Sequence, residues 1–239
     1  MDNYAANGGS TAQIKMRNRA ALKIILTALS IILLLGCAVF IYIYENFWQV
    51  KVNIFSSQNK RLDKGQIVFV GDSLTQRCNL KKYYGKALAL EPINRGINGD
   101  TTDGLLRRMD ASVFDLAPSK IVINIGTNDL AYGKNAGYVL ENYTQILNLI
   151  NTGLPDAEVY VQSVYPVGGD SKRARITGDI MAVNSALAVL AEGFGYTFID
   201  VFPVLTDGNN LLIKAYTKDG LHLNAAGYKV AAQKILEYL

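Results

Sequence analysis

Between Lys23 and Glu45 the chain runs for 21 residues without a charge, IILTALSIILLLGCAVFIYIY. At about 1.5 Å per residue, a helix of that length reaches roughly 30 Å, the hydrocarbon thickness of a bilayer. The run is longer than the core of a cleaved secretion signal. No small-x-small cleavage site follows it before Tyr42, Tyr44, Phe47 and Trp48, which have the character of an interfacial aromatic belt. LLGC at 34–37 reads faintly like a lipoprotein processing site, but seven further apolar residues follow Cys37. The expectation is an uncleaved single-pass anchor over 24–44, with a processed segment as the alternative.

Lys15, Arg17, Arg19 and Lys23 crowd the N-terminal flank, whereas only Lys51 lies within ten residues on the other side. The positive-inside rule then makes 1–23 a basic cytoplasmic N-terminus and puts the body outside the cytoplasm, at the cell membrane. A window of 20 residues adds Lys60, Arg61 and Lys64 and removes the asymmetry. Past residue 44, 20 Lys and Arg against 19 Asp and Glu leave a body of about +1, with no electrostatic footprint for nucleic acid. Cys37 lies in the apolar run and Cys78 in the body, so no intrachain disulfide is expected.

Residues 45–64, polar and without a sustained period, read as a stalk. The body, 65–239, alternates short β-rich runs with helical patterns. The runs are IVFV (67–70), PINRGI (92–97), KIVINIG (120–126), AEVYVQSVY (157–165) and YTFIDV (196–201). Between and after them lie YVLENYTQILNLI (138–150), with Val139, Tyr143, Ile146 and Ile150 on one face, a second helical stretch over 176–195, and a C-terminal one opened by Asn224. Nearly all-apolar strands separated by helices predict a three-layer α/β/α domain on a five-stranded parallel sheet. Ligands of such sheets sit beyond the strands' carboxyl ends, and Ser73, Gly96 and Asn128 all fall at strand ends.

The chain holds one histidine, His222, in KDGLHLN (218–224). Asp219, three residues upstream, is placed to accept the Nδ1 proton and leave Nε2 as a base. A serine hydroxyl needs such a base to become a nucleophile, and Ser73 in VFVGDSLTQ (68–76) is the candidate. An oxyanion formed on attack needs fixed donors, for which the candidates are the backbone N–H groups of Ser73 and Gly96 and the side-chain amide of Asn128. Each has a plainer reading: Gly96 as a turn glycine, Asn128 and Asp129 as helix caps, Asp72 as a loop organiser. Asp100, Asp103 and Asp110 lack a histidine or further carboxylate nearby, so no metal is expected, and no other cofactor.

The pattern resembles the SGNH hydrolases, also called the GDSL esterase and lipase family. Four blocks carry the resemblance: GDSL (71–74), NRGINGDTT (94–102), GTND (126–129) and DGLH (219–222). After GDSLT, where the family often has glycine, this chain has Gln76, Arg77 and Cys78. The resemblance implies a flavodoxin-like sheet and attack on esters or thioesters through an acyl-enzyme without metal. Within the family it leans to small lysophospholipase/thioesterase-type enzymes, acetylhydrolase-like esterases and carbohydrate acetylesterases. The expected activity is hydrolysis of small acyl esters, such as acetyl on glycans. A lysophospholipase or thioesterase, an acyltransferase and a non-catalytic glycan-binding module are the alternatives. The loop over 164–175 is placed to line the pocket, where Arg173 or Arg175 would meet an anionic substrate. Oligomeric state is not legible.

Overall fold

The computed structural model describes residues 8–89, 92–169 and 177–239. The chain divides into two compact units, Met1–Val50 and Lys51–Leu239. The first is dominated by helix α1 (Gly8–Glu45), within which Ile14–Tyr42 is long and apolar enough to cross a bilayer, as a membrane span or a secretion signal would be. Its large apolar side chains stand exposed, Leu34 and Phe40 among them.

Within the stretch expected as a stalk lies helix α2 (Phe47–Asn59), whose C-terminal end packs into the second unit. Val52, Phe55, Ser56 and Asn59 share one inward face at helical spacing, with Phe55 and Asn59 buried. That face mixes apolar and polar groups, which is why hydrophobic periodicity does not reveal it. Asn59 Nδ2 donates to Ala111 O at 2.8 Å and its Oδ1 accepts from Arg95 Nη2 at 2.6 Å.

Strands β1 (Ile67–Gly71), β2 (Pro92–Gly96), β3 (Lys120–Asn124), β4 (Glu158–Gln162) and β5 (Thr197–Ile199) form one parallel sheet in the order β2-β1-β3-β4-β5. This is the expected doubly wound arrangement. After β1 come α3 (Ser73–Gln76) and α4 (Leu80–Tyr83), and after β2 come α5 (Thr102–Arg107) and α6 (Met109–Ser112). Helices α7 (Thr127–Ala131) and α8 (Ala136–Gly153) follow β3, α9 (Thr177–Gly193) follows β4, and α10 (Phe202–Leu205) and α11 (Ala225–Leu236) follow β5. Alternation along the strands divides the core. Val68, Val70, Ile121 and Ile123 pack with Tyr143 and Ile146 of α8 and Val183 of α9, whereas Ile67, Phe69 and Val122 pack with Tyr228, Ala231 and Ile235 of α11.

Register decides where chemistry gathers. Gly71 at the end of β1 lies level with Gly96 of β2 and Asn124 of β3. The segments that leave these three strands therefore emerge side by side at one edge of the sheet.

Candidate active site

Gly71 is the point at which β1 stops. A Cβ there would stand 2.1 Å from Asn124 O and 2.4 Å from Thr75 Oγ1, so only glycine lets the chain turn this tightly into α3. Asp72 caps that helix, its Oδ1 accepting from Leu74 N at 2.8 Å. Ser73 begins the helix and is 5 % exposed.

The histidine arrives from the far end of the sequence. His222 Nε2 lies 3.0 Å from Ser73 Oγ, and His222 Nδ1 lies 2.6 Å from Asp219 Oδ2. Asp219 Oδ1 also accepts from the backbone N–H groups of His222 at 2.8 Å and Leu221 at 3.0 Å. Partial burial raises the Asp219 carboxyl, but the bonds from the His222 ring, His222 N–H and Leu221 N–H outweigh it and hold the acid well below the ordinary carboxylate range. The loop is held from below: Thr217 Oγ1 donates to His222 O at 2.9 Å, and Gly168 N, in the segment leaving β4, donates to Gly220 O at 2.8 Å. Asn224 caps α11 through Ala226 N and Gly227 N.

Asn128 lies on the first turn of α7, its Nδ2 donating to Asp100 O at 2.8 Å and standing 3.4 Å from Asp72 Oδ2. Its amide thus links the turns that follow β1 and β2. Its neighbour Asp129 accepts from Thr102 N and Thr102 Oγ1. Burial pushes the Asp129 carboxyl up, while those Thr102 bonds pull it down.

Gly96 does not join the exposed donors expected of it. It is buried, its N–H donates to Asn94 Oδ1 at 2.9 Å, and a Cβ would stand 2.2 Å from Gln76 N and 2.8 Å from Asp72 O. Glycine at this position lets β2 press against the first turn of α3. The residue that does present an N–H without an acceptor among the described residues is Gly99, half-buried at φ +75° in the turn just before Asp100, and the same holds for Ser73 N–H. The motif NRGING carries both glycines, and its sequence does not say which one turns outward.

Two more residues escape sequence reasoning. Arg108, at the end of α5, has a fully buried side chain. Its Nε meets Asp100 Oδ2 at 2.7 Å, Nη1 donates to Arg95 O and Ser112 Oγ, and Nη2 donates to Gly71 O at 2.9 Å. Burial lowers its pKa and Asp100 opposes the shift. Gln76, where the family often has glycine, accepts from Asn98 N at 2.6 Å and so braces the turn that carries Gly99. Asp100 is thus engaged by Arg108, and Asp103 accepts from Tyr138 and Asn142. Burial pushes the Cys78 thiol up to about 12, leaving it inert as a thiolate. Arg173 and Arg175 lie outside the described residues.

The bovine (Bos taurus) platelet-activating factor acetylhydrolase IB subunit alpha1 is 29 % identical over 166 residues, spanning 68 % of this chain and 70 % of that one. A Streptococcus pneumonia chain provisionally described as a platelet activating factor superposes with a TM-score of 0.73 at 29 % identity, covering 84 % of this chain and 98 % of that one. A GDSL-like lipase from Bacteroides thetaiotaomicron gives 0.68 at 25 % identity, covering 78 % and 95 %. A profile described as the GDSL-like Lipase/Acylhydrolase family matches residues 69–230, which take in Ser73 and His222 alike, and the chain belongs to that family of ester hydrolases.

Proposed function

We propose that the chain is a serine esterase that removes small acyl groups, acetyl foremost, from a hydroxylated substrate such as a glycan. The observation that carries this reading is the unbroken line of hydrogen bonds from Ser73 Oγ through His222 to Asp219. In the proposed mechanism His222 Nε2 takes the hydroxyl proton as Ser73 Oγ bonds to the ester carbonyl carbon, and Asp219 stabilises the imidazolium. The tetrahedral oxyanion is met by the N–H groups of Ser73 and Gly99 and by Asn128 Nδ2. His222 returns the proton to the departing alkoxide. Water then repeats the sequence on the acyl-enzyme and frees the acid and Ser73.

Small acyl groups are favoured because no long apolar stretch beyond the N-terminal run offers a lid for fatty chains. The bovine relative's name, an acetylhydrolase, points the same way. p-Nitrophenyl acetate should therefore be turned over faster than esters of eight or more carbons. The reverse preference would favour a lysophospholipase or thioesterase, the reading that the apolar N-terminal helix supports. Transfer of the acyl group to a sugar uses the same residues, and product analysis with and without an acceptor separates the two. Asn128→Ala should lower kcat by about 100 to 1,000-fold, the usual cost of one lost oxyanion donor. An unchanged kcat removes Asn128 from the mechanism. The basic flank at Lys15, Arg17, Arg19 and Lys23 supports an extracytoplasmic domain tethered to the cell membrane.

A further inference from the structure

A cleft of about 450 Å³ opens between the end of α2 and β2; Gln58, Arg61, Asp63, Pro92 and Arg95 are among its walls. Arg95 is 3 % exposed, yet among the described residues no carboxylate pairs with it or with Arg61. Its guanidinium has five N–H donors. Nη1 reaches Gln58 Oε1 and Asn94 O, and Nη2 reaches Asn59 Oδ1. The Nε–H is buried without a partner among the described residues. The ring of Phe55, 4.6 Å away, covers one face of the group.

A buried cation with neutral partners only is costly, and the cost falls when an anion reaches it. Burial and the nearby Arg108 draw the Arg95 pKa down to about 10, which reflects that deficit of negative charge. Nε with Nη2 is the edge that grips two oxygens of a phosphate side by side. Arg61 on the wall supplies a second guanidinium, against a single acid, Asp63.

We propose that this cleft binds a phosphate group, held by the Nε/Nη2 edge of Arg95 and by Arg61. The cleft has room for the phosphate together with a small esterified group. Free phosphate esters and phospholipid headgroups share this chemistry.

The test titrates inorganic phosphate into the full-length chain in dodecyl maltoside micelles, which carry no phosphate, with sodium chloride at matched ionic strength as the control, followed by calorimetry. Saturable binding is expected, weakened about tenfold or more by Arg61→Ala and by Arg95→Lys, each of which removes charged hydrogen bonds. Arg95→Lys keeps the buried charge. Arg61→Ala, on the wall, leaves the contacts of α2 in place and should hydrolyse p-nitrophenyl acetate like the parent. Absence of saturable binding, or affinity equal to the parent's in both variants, overturns the proposal. Phosphate binding abolished in phosphatidylglycerol nanodiscs assigns the site to a lipid headgroup; binding retained there assigns it to a soluble phosphate.

Discussion

Ser73→Ala should lower turnover of p-nitrophenyl acetate by about 10⁴-fold or more while leaving the fold intact. The loss is large because the substitution removes the atom that forms the acyl-enzyme. The fold should survive because Asp72, not Ser73, caps α3, and the Cβ that alanine retains fills the same space. His222→Ala should be comparably damaging, and the double variant little worse than either single one, since nucleophile and base act as a unit. A fluorophosphonate probe should label the parent on Ser73 and leave Ser73→Ala untouched. Activity within tenfold of the parent in Ser73→Ala would contradict the mechanism, and a parent that takes no label would favour a glycan-binding module.

Arg108→Met should cost about 3 to 5 kcal/mol of stability, the usual penalty for removing one partner of a buried ion pair. For a body of this size that lowers the Tm by on the order of 10 °C. Four buried groups lose a donor together: the Asp100 carboxylate, the Arg95 carbonyl, the Ser112 hydroxyl and the Gly71 carbonyl, the last keeping its bond from Ile97 N. Activity should fall as well, because Asp100 O anchors Asn128 and Gly71 directly precedes the turn that carries Ser73. Asp100→Leu added to Arg108→Met should recover part of the stability, since the carboxylate that faced the guanidinium is removed, but not all of it, because Arg95 O, Ser112 Oγ and Gly71 O still lack the bonds that the guanidinium donated. Thermal unfolding of the parent and the two variants measures this. A change of under 3 °C in Arg108→Met would show that the guanidinium contributes little net.

The helices and strands were legible where the pattern is local. Val139, Tyr143, Ile146 and Ile150 recur on one face and become the buried stripe of α8, and Asn224 caps α11 as its position suggests. Such signals depend on neighbours a few residues away. Helix α2 escaped notice because its inward face includes Asn59, a polar residue buried only because Arg95 and the carbonyl of Ala111 wait for it. Arg108 looks like any charge at a helix end, and nothing near it in sequence announces that Gly71, 37 residues earlier, supplies an acceptor.

The two glycines of NRGING show the same division. The motif marks a turn beside the nucleophile, but Asn94 claims the N–H of Gly96, and the first turn of α3 leaves no space above it. The sequence by itself determined the order of strands and helices, the apolar N-terminal helix, and the residue types able to attack an ester, because these follow from short-range periodicity and from the chemistry of a hydroxyl, an imidazole and a carboxylate. Only the tertiary structure decided which N–H groups remain without an acceptor, which arginine is buried against which carbonyl, and that Ser73 and His222, 149 residues apart, come within 3.0 Å. Those outcomes are competitions among distant groups for the same partners and the same space, and packing alone settles them.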